Sequence, residues 1–129
     1  MPNTISRFTR QGFGRYVDAV VTADTKGATA LDQTTSVGIG AIITRTGTGE
    51  YLMTTTTPAK SFIGGHAAIR LASPNGSVAV PGAVTHNSDG TFSMVIKTYD
   101  NTAVPALFDA AAATGNCLTG YMTLKVVGP

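Results

Sequence analysis

An all-β antiparallel sandwich is the fold class predicted by this 129-residue sequence. Three observations carry the reading. Apolar and polar residues alternate over short stretches, as in Gly120 to Val127, where Met122, Leu124 and Val126 interleave with Tyr121, Thr123 and Lys125. The stretches are punctuated by turn chemistry, above all Thr46-Gly47-Thr48-Gly49 and Asn87-Ser88-Asp89-Gly90. Helix formers concentrate only in Ala103 to Thr114, where Pro105 and small residues allow a loop with at most one helical turn.

Taken in order, Met1 to Gly14 has little periodicity and reads as an extended N-terminal arm, residues 1–14, ahead of one sandwich domain, residues 15–129. Arg15 to Thr22 alternates, with Val17, Ala19 and Val21 on one face. Lys26 to Ser36 is small and polar and reads as a loop. Val37 to Arg45 and Glu50 to Thr57 form a hairpin around glycines, Gly47 and Gly49, that tolerate positive φ. Pro58 ends its pairing because it has no N–H to donate. Gly64-Gly65 opens His66 to Ala72, with Ala67, Ile69 and Leu71 facing one way. Pro74-Asn75-Gly76 is a turn signal before Ser77 to Val80, and Pro81-Gly82 marks an edge or a bulge. Thr91 to Thr98 carries Phe92, Met94 and Ile96 in register. About seven strands at this spacing imply a sandwich or jelly roll.

Composition bounds the function classes. The apolar share of 43% is ordinary, but the charged share of 12% is about half the usual quarter, with Thr, Ala and Gly filling the gap. A surface with few charges to desolvate loses little on being covered, which favours burial in an assembly over a soluble monomer with a Thr-rich exterior. The net charge of +2 implies no strong electrostatic partner and falls short of a nucleic-acid-binding signature. Arg7, Arg10 and Arg15 cluster around Phe8 and Phe13. They fit either an arginine-solubilised tail or a basic arm touching nucleic acid or an acidic neighbour, and Arg7, Phe8, Arg10 and Phe13 are the candidate partner-binding residues. Cys117 is the only cysteine, so no disulfide staples the domain. The first residues lack an apolar leader core, and no apolar run approaches membrane-spanning length; the expected site of synthesis and folding is a cytoplasm.

No reactive constellation stands out. His66 and His86 lie in different segments without ligand-spaced Cys or carboxylates, so neither metal nor cofactor is implied. Asp89 and Asp100 read as turn residues, and Cys117 as a small buried hydrophobe. Neither a nucleophile motif nor a phosphate-cradling loop followed by a helix is present, so the sequence reads as non-enzymatic.

Two segments add a resemblance. The hairpin Thr44 to Thr54, TRTGTGEYLMT, and the stretch Ser77 to Gly115 followed by YMTLKVV resemble small jelly-roll proteins of tailed-bacteriophage virions. Such proteins serve as trimeric capsid decoration (cement) proteins and as fibre modules. The resemblance covers roughly two-thirds of the chain and rests on structural motifs such as Asp89-Gly90-Thr91-Phe92, so it transfers setting and not site residues. It implies a capsid decoration protein on the virion exterior, made in the host cytoplasm, that binds the major capsid protein as a homotrimer. The alternative is a fibre or tail module binding a receptor or carbohydrate. A hydrolase ranks third, and a single-stranded nucleic-acid binder fourth, for want of basic residues interleaved with aromatics.

Overall fold

The computed structural model describes residues 15–27, 30–73, 75–112 and 114–127. The expected arm, with Arg7, Phe8, Arg10 and Phe13, lies outside the described residues. Eight strands follow: β1 (Arg15–Lys26), β2 (Leu31–Gly38), β3 (Ala41–Gly47), β4 (Glu50–Thr55), β5 (Ser61–Arg70), β6 (Val78–His86), β7 (Phe92–Tyr99) and β8 (Thr114–Val127). They make two four-stranded sheets, β2-β1-β8-β5 and β3-β4-β7-β6, with every pairing antiparallel.

Alternation places the core between the sheets. Ala19, Val21 and Ala23 of β1 and Leu118, Met122 and Leu124 of β8 are buried from one side. Ile43, Tyr51, Met53, Phe92, Met94 and Ile96 are buried from the other. Small residues make room for large ones, since a Cβ on Gly120 would lie 2.6 Å from Met53 Sδ and one on Gly65 would lie 2.4 Å from Met94 Sδ. The Phe92, Met94, Ile96 register, the buried Cys117 and the 3₁₀ turn at Ala110–Ala112 follow the sequence reading. So does β6, an edge strand whose register shifts between Pro81 and Val84.

The sandwich itself is as expected. Its strand order does not establish jelly-roll winding, because three connections (β1 to β2, β3 to β4, β6 to β7) are hairpins that stay within one sheet. The described residues form eight strands, where the sequence reading gave about seven, because the Lys26 to Ser36 loop is in fact mostly β2. That strand is polar because it is an edge: Gln33 and Ser36 turn to the neighbouring sheet instead of filling a core. The expected single strand Val37 to Arg45 is broken at Gly38-Ile39-Gly40, where both glycines have φ of 82° and the chain crosses from one sheet to the other. Gly64 and Gly65 lie inside β5 rather than before it, with a bulge between Phe62 and Gly64.

The β3–β4 turn places one of its two glycines, Gly49, at positive φ, 67°. A Cβ there would come within 2.9 Å of Phe108 N and 3.0 Å of Phe108 O. Gly49→Val is therefore expected to cost more than backbone strain alone, about 2–4 kcal/mol, because it also lifts the loop that covers the turn. Urea unfolding measures it, and an unchanged midpoint would show that the loop does not rest on this glycine.

Candidate functional site

The β3-β4-β7-β6 sheet has an outer face whose composition the register fixes. Across it, Ile42 lies opposite Thr54, Thr54 opposite Ser93 and Ser93 opposite Thr85. The next row runs Thr44, Leu52, Val95, and the next Glu50, Lys97, Val80, with Val78 opposite Tyr99 beyond it. Ile42 on one edge strand and Val78 and Val80 on the other are 44%, 51% and 43% exposed. Threonine fills the gaps, and Thr54 Oγ1 shares a 3.0 Å hydrogen bond with Ser93 Oγ. The two ionic side chains of this face, Glu50 and Lys97, sit 3.8 Å apart on paired strands. Both are substantially exposed, so the pair adds little stability; its consequence is a face without net charge.

The other sheet differs. Its strands carry Asp18, Asp24, Lys26, Asp32, Arg70 and Lys125, with Lys26 3.7 Å from Asp32 and Asp18 accepting from Thr123 Oγ1 at 2.9 Å. Ionic side chains are thus more numerous on this sheet, which also exposes Tyr16, Ile63 and Tyr121. Beside the Glu50–Lys97 pair the edge bulge opens a shallow cleft of about 400 Å³, walled by Val80, Pro81, Gly82, Ala83 and Val95 and flanked by Tyr99.

A second polar feature closes one end of the sandwich. Arg45 donates to Asp109 twice, Nε to Oδ1 at 3.2 Å and Nη2 to Oδ2 at 2.7 Å. Tyr51, buried in the core, donates its hydroxyl to Asp109 Oδ1 at 3.3 Å and accepts from Ala111 N at 3.3 Å. The Arg45 guanidinium holds the Asp109 carboxyl below the usual carboxylate range, and burial pushes the Tyr51 phenol up. Thr98 fastens the same segment: its amide donates to Gly49 O, its carbonyl accepts from Phe108 N, and its hydroxyl donates to Phe108 O. This cluster pins the loop after β7. Each of these groups has a hydrogen-bond partner within the cluster, so the arrangement locks structure in place.

The residues weighed for chemistry are dispersed. His66 is on β5 with its ring 5.5 Å from Tyr121, whereas His86 ends β6 in the other sheet, stacked on Phe92 at 4.0 Å. Asp89 accepts from Thr91 N and Oγ1, and Asp100 from Ala106 N and Thr102 Oγ1, which are turn bonds as expected. Sequence reasoning did not single out Glu50, Lys97, Val80 or Asp109. The low charge of the whole chain was the only signal for the first three, and it could not say where the uncharged surface lies. No family model matches the chain, and comparisons with curated proteins and with solved structures found no match.

Proposed function

We propose that this chain is a structural component of a virus particle, a decoration (cement) protein on a tailed-phage head that binds the major capsid protein and acts by covering surface rather than by catalysis. The observation that carries the reading is the make-up of the outer face of the β3-β4-β7-β6 sheet, which presents Ile42, Val78, Val80 and threonines around one internally neutralised ion pair. Such a face loses little on being covered and gains from burial of its apolar side chains. The resemblance in Ser77 to Gly115 supplies the phage setting, the jelly-roll assignment and the three-fold assembly. The arm, through Arg7, Phe8, Arg10 and Phe13, is assigned to the shell, because Arg and aromatic residues are favoured anchors on a protein surface.

Deleting residues up to Arg10 is the test. The truncated protein is expected to melt like the full chain and to be retained roughly tenfold less well on particles stripped of the native copy. Full retention would remove the arm from the shell contact. The fibre-module reading has its own observation, the cleft beside Glu50, Lys97 and Tyr99, where an aromatic ring and two hydrogen-bonding side chains could meet a sugar. Copy number in purified particles separates the two: a fixed ratio to the major shell protein supports decoration, and a few copies per particle support a fibre.

A further inference from the structure

We propose that the outer face of the β3-β4-β7-β6 sheet packs against the same face of a second copy of this chain across a two-fold axis. The inference rests on the assembly reading above and names the occupant of this face. Growth of the sheet at its edges is blocked on both sides. At β3, Gln33 donates from Nε2 to Ile43 O at 2.7 Å and accepts from Ile43 N at 2.9 Å, while Ser36 Oγ accepts from Ala41 N at 3.0 Å. These side chains occupy backbone groups that an added strand would need. At β6, Pro81 has no N–H to donate and the adjoining bulge bends the strand, two devices that blunt an edge. The outer face of this sheet stays open to contact.

Charge selects the partner. A face bearing one anion and one cation side by side is its own complement: with the two-fold axis between Glu50 and Lys97, each Glu50 meets Lys97 of the second copy, and no like charges are brought together. A partner of another kind would have to supply the opposite arrangement. Val80, Leu52 and Val95 surround the pair and would be covered with it. Four strands at their usual spacing, each contributing about six residues, give a footprint roughly 20 Å on a side. That lies at the small end of specific interfaces, so association is expected at about micromolar concentration.

Sedimentation of the full chain across that range, with Glu50→Lys and Lys97→Glu, tests the contact. The wild type is expected to form dimers, or hexamers where the three-fold contact also forms. Each single variant places like charges across the axis and should associate roughly tenfold more weakly. An equimolar mixture of the two pairs an all-cationic face with an all-anionic one, and should regain association to within about threefold of wild type. Recovery in trans cannot come from the intramolecular pair, which both variants lack. Singles that associate like the wild type, or a mixture that stays dissociated, would overturn the face contact. A trimer indifferent to both substitutions would overturn it while leaving the assembly reading standing, whereas a wild-type monomer throughout would overturn both.

Discussion

Gly38→Ala is expected to be the most damaging small substitution in this chain, lowering stability by about 3–5 kcal/mol. Gly38 is the last residue of β2, paired with Ala19, at a φ of 82°. A Cβ built there would lie 1.7 Å from Asp18 O and 2.8 Å from Asp18 C, and these are backbone atoms of a central strand. A flexible side chain could swing aside; β1 cannot, because it is held on both flanks by β2 and β8. The same carbonyl accepts from Ile39 N at 3.3 Å, so retreat of the β2 end would also break the bond that steers the chain into the crossing. Strain from positive φ accounts for part of the loss and the clash for the rest. Thermal melting should show a drop of roughly 10–20 °C for a domain of this size. A drop of only a few degrees would mean that the crossing relaxes without disturbing β1, and that the two sheets are coupled less tightly than the close approach implies.

Removing Asp109 should have the second largest effect. Asp109→Ala strands the partly exposed Arg45 guanidinium and the buried Tyr51 hydroxyl, and is expected to cost about 2–4 kcal/mol. The chain from Asp100 to Ala112 should loosen with it, so that protease cleavage in that loop accelerates more than global unfolding does. Asp109→Asn retains shape and some hydrogen bonding but not charge, and it isolates a pH effect. The folded-state pKa of Asp109 is depressed, chiefly by its hydrogen bonds from Arg45. Its contribution is therefore present at neutral pH, begins to fade below about pH 4, and is lost as the pH falls through the depressed folded value. The wild type should lose stability over that acid window, and the Asn variant should lose less of it. Some acid sensitivity remains in the variant, since turn hydrogen bonds also depress Asp89 and Asp100. Equal acid slopes in the two proteins would show that Asp109 does not couple protonation to folding.

The sequence by itself determined the class of the fold and most of its strands, because those depend on local rules. Alternation in β1, β7 and β8 marks which side chains face inward, and glycine and Asx residues mark the turns wherever the backbone needs them. It also gave the low charge of the chain, a property of composition alone. Four things waited on tertiary structure. β2 was hidden because an edge strand whose Gln33 and Ser36 bond to a neighbouring sheet carries no hydrophobic period to read. The break at Gly38 and Gly40 was hidden because a sheet crossing and a strand interior can share the same β-branched residues on either side. Asp109 looked like any loop carboxylate, since its partners Arg45 and Tyr51 lie 64 and 58 residues away along the chain. The neutral face was hidden for the same reason. Glu50 and Lys97 become neighbours only when β4 pairs with β7, and where a charge-poor surface collects is decided by which strands share a sheet, a long-range choice that no local pattern encodes.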